Sequence, residues 1–305
     1  MESLVNFALK EQYLKVKKLR SRLEDMKKLV DWNRFLGFFS ARESLRGRPN
    51  YEKILMLKLL FLQAWYGLSD EELEFQVNDR FSFQQFLDFP KSVPDYSTIW
   101  RFREALQEEN LLDKIWEELQ KQIDEKNISV EKGVIQDATF IIADPGKTKS
   151  GMGGRGQVAK TSRNRDGSWT KKGKKSFFGY KAHTKMQRSS KIVKEIAVTT
   201  ARVHDGAIDL ARANEVVYRD KGYSGIPTVA KGNATMKRGK LTFKDKLRNK
   251  RIQRKRSQGE HPYGIIQRAL KGGRTKLTTV SRVFAQQVFV FMAYNIFRLE
   301  FLVRQ

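Results

Sequence analysis

Residues 133–143 read GVIQDATFIIA, and this stretch decides the fold. Its β-branched and apolar residues predict a buried strand. Asp137 stands in the middle of that strand, where burying a carboxylate is costly unless something compensates it. The ordinary explanation is a hydrogen-bonded structural aspartate, and the functional one is a metal ligand.

Further strands follow along the chain. We predict them at residues 176–187 and 192–202, joined by the turn at 188–190, and a short one at 216–219. A helical stretch is predicted between the last two, at 207–213. Residues 146–175 are rich in Gly, Lys, Ser and Arg and predict a mobile loop.

Two helices are predicted to close the chain. Residues 242–271 form a strongly basic helical pattern, with Pro262 predicted to kink it near Glu260. Residues 277–303 have the pattern of an apolar helix. Strands and helices in this order indicate a mixed α/β domain at 131–305.

The first 130 residues have an all-helical pattern. Residues 1–30 predict a basic amphipathic arm, and an apolar helix is expected at 51–66, after the breaker at 47–50. Ser69 and Glu72 have the spacing of a capping box. A further helix is predicted from Pro94 onward. Short helices of this kind suit a helix-turn-helix-like DNA-binding module, with plain bundle packing as the alternative.

The charge is very unevenly distributed. The chain contains 60 Lys and Arg against 34 Asp and Glu, a net charge of +26. Residues 1–130 contain 21 basic and 22 acidic side chains, whereas residues 131–305 contain 39 and 12. Such a field attracts polyanions, so nucleic acid is the leading expected partner, ahead of an anionic membrane or a ribosome.

Composition also excludes several kinds of site. There are no cysteines and only three histidines, so disulfides, thiol catalysis and cysteine-ligated metals are excluded. Any metal must be held mainly by oxygen. A nucleotide-binding loop at Gly146 fails because Ile141 stands where the motif requires glycine. Without a long apolar run or a signal-peptide core, we expect a cytoplasmic protein that does not enter a membrane.

Three carboxylates stand out among the twelve acids of 131–305. Chemistry on phosphodiesters needs two or three carboxylates around a hard divalent ion. Asp137 lies inside the first predicted strand, Asp220 ends the fourth, and Glu260 lies on the basic helix. Each also has an ordinary explanation: Asp220 suits a turn, and Glu260 can pair with Arg256 one helical turn earlier.

Several motifs occur in the order found in one family of enzymes. They are Asp137-Ala138-Thr139, residues 178–183 (FGYKAH), Thr199 with Val203-His204-Asp205, residues 220–223 (DKGY), and Arg256 four positions before Glu260. In these motifs the chain resembles the DDE transposases of insertion sequences, specifically the branch that shares its catalytic domain with Harbinger elements. The resemblance covers about residues 50–300.

The resemblance implies an RNase H-like mixed sheet with helices, preceded by the helical module. It implies that Asp137, Asp220 and Glu260 hold Mg²⁺, for which Mn²⁺ can substitute. Asp205 stays open as a competing second carboxylate, because it follows a strand and adjoins His204.

The chain departs from its relatives at two positions. They have a tyrosine three positions before the arginine and a lysine seven positions after the glutamate, where this chain has Gln253 and Gln267. In this chain, Arg268 or Lys271 would have to make the phosphate contact that the lysine makes in the relatives.

The expected function is that of a DNA transposase, which cleaves the ends of its element and joins the 3′ hydroxyl to target DNA. The expected partners are double-stranded DNA, as terminal inverted repeats and target site, and a second copy of the chain or more. The expected DNA-contacting residues are Arg101, Arg103, Lys171, Lys172, Lys174, Lys175, Lys181 and Arg256. The alternatives are a metal-dependent nuclease or resolvase on the same core, and a non-catalytic DNA-binding relic.

The charge predicts steeply salt-dependent DNA binding. Each neutralised phosphate adds about −0.9 to the slope of log affinity against log salt, so six contacts give roughly −5. Replacing Lys171, Lys172, Lys174 and Lys175 with alanine should flatten this slope and weaken binding to all sequences alike, since phosphate contacts do not read bases. Fluorescence anisotropy over a salt series measures it. An unchanged slope would mean that these lysines are only solvated.

Overall fold

The computed structural model describes residues 14–15, 22–39, 50–127, 133–146 and 166–304. The breaker at 47–49 and most of the N-terminal arm and of the predicted mobile loop lie outside these residues. The chain forms two compact units, one made of residues 1–125 and 299–305 and the other of Lys126–Arg298.

The first unit is helical throughout its described residues. Its helices are α1 (Arg22–Leu29), α2 (Lys53–Tyr66), α3 (Asp70–Asp79), α4 (Phe81–Phe86), α5 (Tyr96–Glu108) and α6 (Leu111–Asp124), with a 3₁₀ helix at Trp32–Phe38. Helix α2 is apolar on nearly every side and ends at Gly67, whose φ of 61° suits a glycine cap. The Ser69 side chain accepts from the Glu72 amide and begins α3, as the sequence indicated.

A buried ion pair joins three of these helices. The Arg103 guanidinium donates to Asp70 at 2.8 and 2.9 Å and to Gln63 at 3.0 Å, and only 6% of its side chain is exposed. Burial alone would raise the pKa of Asp70, but the hydrogen bonds from Arg103 and Gln63 hold this pKa below its usual value. Arg103 therefore fastens α5 to α2 and α3.

The second unit is built on one mixed sheet. Its strands are β1 (Val134–Ala143), β2 (Ser168–Lys172), β3 (Lys175–Gln187), β4 (Val193–Thr200), β5 (Val216–Arg219), β6 (Gly232–Thr235) and β7 (Arg274–Thr275). Strand β1 lies at the centre, antiparallel to β3 and parallel to β5. Strand β4 continues the antiparallel side and β6 the parallel side. This is the mixed α/β sheet that the sequence predicted.

The predicted helix at 207–213 was wrong. Only Asp205–Ala207 forms a 3₁₀ turn, and the chain then runs irregularly to β5. Side chains take the place of helical hydrogen bonds here. Gln136 donates to the Ile208 carbonyl at 2.6 Å, and Asp209 accepts from the Ala211 and Val229 amides at 3.0 and 3.2 Å.

The predicted loop at 146–175 was also wrong at its end. Residues 168–172 form β2, which pairs with the start of β3 in a hairpin around Gly173, with φ of 62°. Repeated lysines concealed this strand, because charged residues are depleted in strands in general but tolerated on an exposed edge. The short strands β6 and β7 were not predicted.

Helices follow the sheet as expected. They are α7 (Phe243–Arg256), α8 (Glu260–Arg268) and α9 (Val280–Val303), with a 3₁₀ turn at Ser257–Gly259 between the first two. Pro262 lies in the first turn of α8, where an amide has no helical partner to lose, so the helix restarts just before it. Among the described residues, no helix has both the length and the apolarity to cross a bilayer.

Gly259 allows α8 to approach the central strand. A Cβ at Gly259 would lie 2.7 Å from Cγ2 of the buried Ile135, whereas a Cβ at Gly264 would meet nothing within 4 Å. Gly259→Ala should therefore lower the free energy of unfolding by about 1–3 kcal/mol through overpacking. Gly264→Ala, inside α8, should raise it by about 0.5–1 kcal/mol.

Urea denaturation of both variants checks this prediction. Adding Ile135→Ala removes the colliding methyl group, so it should offset part of the Gly259→Ala cost in a double-mutant cycle. Equal effects of the two glycine substitutions would contradict the close packing.

Candidate functional site

Asp137 points toward the face of the sheet that α8 covers. Side chains alternate along a strand, so Ile135, Asp137 and Thr139 share one face of β1. Gly259 packs on Ile135, and the Gln267 amide donates to Thr139 Oγ1 at 3.0 Å. The segment around the start of α8 therefore lies over Asp137.

Asp220 directly follows β5, the strand that pairs with β1 in parallel. Val134 pairs with Val217 and Ile135 with Tyr218, a register offset of 83 positions. The offset between Asp137 and Asp220 is also 83 (220 − 137). Continuing the parallel register by two residues, beyond the end of β5, would pair Asp137 with Asp220, and the Asp220 carboxylate is near enough to raise the pKa of Asp137. Asp220 Oδ1 accepts from the Gly222 amide at 2.7 Å, which fixes the carboxylate in a tight turn.

Arg256 links Asp137 to Glu260. Its Nη1 donates to Asp137 Oδ2 at 2.8 Å, and its Nη2 lies 3.6 Å from Glu260 Oε1. The side chains of Arg256 and Asp137 are only 12% and 17% exposed, whereas Glu260 is 67% exposed. One guanidinium on α7 therefore holds a buried carboxylate of β1 and an exposed one of α8.

The surroundings destabilise the charge on Asp137. Burial, with smaller contributions from the nearby carboxylates of Asp220 and Asp205, raises its pKa to about 6. Arg256 and the Ala138 amide act in the opposite direction without overcoming burial. Arg256 therefore compensates only part of the cost of placing a negative charge on Asp137.

Two buried tyrosines enclose the site. Thr184 pairs with Asp137 across β1 and β3, and its hydroxyl is 2.6 Å from the Tyr263 hydroxyl of α8. Tyr223 follows Asp220, and its hydroxyl meets no hydrogen-bond partner within the described part of the chain. Burial raises the pKa of both tyrosines, and nearby carboxylates, including Asp137, add to the shift. Both rings are buried and therefore stay neutral.

The motif at 178–183 builds the opposite face. Lys181 donates to Asp205 at 2.6 Å and to the Val203 carbonyl at 2.7 Å, and it is buried. His183 contacts Thr199 at 2.9 Å, and burial lowers its pKa to about 4. These residues hold the loop after β4 against β3. Asp205, the alternative second carboxylate, therefore already has a lysine partner.

The expected DNA-contacting residues fall into different environments. Arg101 is exposed on α5, and Lys171, Lys172, Lys174 and Lys175 are exposed around the β2–β3 turn. Arg103 and Lys181 are buried in the ion pairs described above, so we assign both a structural role and leave them out of any DNA surface. Arg256 is committed to the carboxylates.

The described residues contain no group of three or more histidine, aspartate or glutamate side chains already gathered as metal ligands. Asp137 and Asp220 approach each other, and Glu260 lies beyond Arg256. Sequence reasoning missed the part played by Gly259, Thr184 and Tyr263. In the sequence, Gly259 and Tyr263 could have been noticed only because they lie close to Glu260. Thr184 could have been found only from the register that pairs it with Asp137.

The raised pKa of Asp137 predicts a pH-dependent stability. Because its pKa is higher in the folded protein than in the unfolded chain, the stabilisation is complete below about pH 4 and is lost as the pH rises through about 6. In EDTA, wild type should lose about 2–3 kcal/mol more unfolding free energy between pH 4 and pH 8 than Asp137→Asn. Parallel urea-denaturation results for the two proteins would contradict the buried, destabilised carboxylate.

Two family models match the chain. A transposase domain (DUF772) matches residues 11–105, and a transposase DDE domain matches residues 128–296. No solved structure matches. The DDE domain match spans more than half of the 305 residues, implies an RNase H-like fold and contains the whole sheet with the three carboxylates; kinship with the Harbinger branch stays a prediction. The chain belongs to the transposase DDE domain family and is a DNA transposase of the insertion-sequence type.

Proposed function

We propose that Asp137, Asp220 and Glu260 are the catalytic carboxylates of this transposase, and that it cleaves DNA at the ends of its element and joins them to a target. The observation that carries the proposal is that Arg256 contacts both Asp137 and Glu260. The β1–β5 register supports the inclusion of Asp220, because continuing it by two residues would pair Asp137 with Asp220.

The donor set fits a hard divalent cation. Mg²⁺ and Mn²⁺ prefer carboxylate oxygens, and all three residues supply them. Burial and, to a lesser degree, repulsion from nearby carboxylates raise the pKa of Asp137, and a divalent ion bound there would offset that cost. Asp137, Asp220 and Glu260 would hold Mg²⁺, with Mn²⁺ as a substitute, and the exposed Glu260 has room to change rotamer. Bound there, two such ions would supply activation of the attacking oxygen and charge stabilisation of the leaving oxygen.

The proposed reaction consists of two in-line displacements. Water attacks a phosphorus atom at the element end, the bond to the 3′ oxygen breaks, and a 3′ hydroxyl is released. That hydroxyl then attacks a target phosphorus, a new phosphodiester forms, and the target's own 3′ oxygen leaves. The protein contributes mainly position: Gly222 fixes the Asp220 carboxylate.

DNA recognition is proposed to involve both units. The exposed lysines of the β2–β3 hairpin suit contacts to the phosphate backbone, and the neighbouring Trp169 is 60% exposed. In the helical unit, Arg101 projects from α5, the helix proposed to read the terminal inverted repeats. Because two ends are cut in one event, we propose a homodimer or larger assembly.

The carboxylate proposal predicts separation of binding from chemistry. Asp137→Asn, Asp220→Asn and Glu260→Gln should each reduce cleavage by at least 10²-fold, because each removes a ligand, while DNA affinity stays within about threefold of wild type. Asp205→Asn is the matched control, since Asp205 is paired with Lys181, and it should retain far more activity. The assay is incubation of the protein with its flanking terminal repeats and Mn²⁺, followed by mapping of cut and joined strands.

The same assay separates the remaining functions. Cleavage without joining of a pre-cut end would favour a nuclease or resolvase, and binding without either reaction would favour a DNA-binding relic. Wild-type cleavage by Asp137→Asn would overturn the assignment of the site, and an inactive Asp205→Asn beside an active Asp220→Asn would exchange the second carboxylate.

A further inference from the structure

A basic groove lies beside the candidate site, between α7 and the strands β5 and β6. It has a volume of about 450 Å³, and its lining includes Tyr218, Asn233, Lys244, Arg248, Arg251 and Lys255. None of these residues was among the expected DNA contacts, and none belongs to the carboxylate site.

The four cations form one stripe along α7. They are spaced by four, three and four residues, so they fall on a single face of the helix. Eleven residues of helix span about 16 Å. The backbone of one DNA strand winds around the duplex axis while it advances about 3.4 Å per nucleotide, so a straight stripe of this length matches a short stretch of about three phosphates.

Within the described part of the chain, no carboxylate forms an ion pair with the four cations of this stripe. Arg248 donates to the Thr235 carbonyl at 2.7 Å, and Lys255 donates to the Tyr218 hydroxyl at 3.2 Å. Both partners are neutral, so these contacts orient the cations without neutralising them. Lys244 and Arg251 are exposed.

Helix α7 as a whole reinforces this field. It contains eight basic residues and one acidic residue, Asp245. Asp245 is engaged at the start of the helix by Thr242 and by Lys237, at 2.7 Å from the Lys237 ammonium. The groove is therefore a cationic surface with no carboxylate among its lining residues.

The direction of the stripe points to its occupant. The residue after Lys255 is Arg256, which contacts both Asp137 and Glu260. A linear polyanion lying along Lys244, Arg248, Arg251 and Lys255 would thus be led to the carboxylates.

We propose that this groove binds the sugar–phosphate backbone of the duplex DNA adjoining the bond to be cut. The inference rests on the proposed function and adds to it a sequence-independent contact with about three phosphates of one strand. It separates this surface from the helical unit, which is proposed to read the sequence of the ends.

The first experiment measures salt dependence with the full-length protein in EDTA. Lys244→Ala with Arg251→Ala removes two groove cations, and Lys246→Ala with Lys250→Ala removes two exposed cations from the opposite side of the same helix. The groove variant should reduce the slope of log affinity against log salt by about 1.8. Between 50 and 200 mM salt, wild type should then lose about 12-fold more affinity than the groove variant. The control should keep a slope close to that of wild type, and the groove effect should be the same on element-end DNA and on unrelated duplex.

The second experiment uses the absence of cysteine from the chain. Leu247→Cys places a single thiol in the groove, where Leu247 is 42% exposed, and Lys250→Cys places one on the other side of α7. Duplex DNA should slow maleimide labelling of the first thiol at least tenfold and leave labelling of the second within twofold. Single-stranded DNA, duplex RNA and phosphatidylserine vesicles are the competing occupants.

Several outcomes would overturn the inference. Equal slopes for the groove and control variants would do so, as would equal protection of the two thiols, or protection by vesicles or RNA but not by duplex DNA. These readouts need neither metal nor cleavage. If the carboxylate variants cleave normally while the groove results hold, the proposed site fails and the groove stands; the reverse result rejects the groove alone.

Discussion

The constraint on which the second unit depends is a carboxylate buried in its central strand. Asp137 lies where burial raises its pKa to about 6, and a strand with that cost persists only when neighbours compensate it. Arg256 supplies part of the compensation from α7, and this requires α7 to end beside β1. The close packing of Gly259 on Ile135 satisfies that requirement. Stability and the placement of Glu260 are therefore tied to the same contact.

The two faces of the sheet divide their polar groups between different tasks. On the face that carries Asp137, the candidate carboxylates outnumber their one cationic partner, Arg256, so the site has a net negative charge. On the opposite face, buried lysines are fully matched: Lys181 meets Asp205, and Lys185 meets Glu195 and Glu215 at 2.8 and 3.2 Å. Matched buried pairs of this kind specify how loops dock more than they add stability. The candidate site therefore differs from the ion pairs of Lys181 and Lys185 in its excess of carboxylates over cations, and not in how many charged groups it contains.

The sequence predicted the parts of this arrangement that depend on local pattern. The strand at 216–219 was predicted with its exact bounds. The separation of 83 positions between Asp137 and Asp220 equals the offset of the β1–β5 register, but this could be recognised only once the pairing of the strands was known. The sequence could not predict where side chains replace backbone partners, as Gln136 does for the irregular segment that was expected to be helical. Nor could it separate Arg103 from Arg101, because the two lie only two positions apart on opposite sides of α5, one in a buried ion pair and the other exposed.

The net charge of +26 is thus not one uniform field. Part of it is consumed inside the units, since Arg103, Lys181, Lys185 and Arg256 each face a carboxylate and contribute little at a distance. The cations that can attract a polyanion are those that form no ion pair with a carboxylate. Many of them lie on α7, and this helix ends at Arg256, beside the carboxylates. If the proposed site and groove are correct, attraction and repulsion would act in sequence on DNA. The cationic helix would attract the phosphates, and the carboxylates beyond it would repel them until divalent cations neutralise that repulsion.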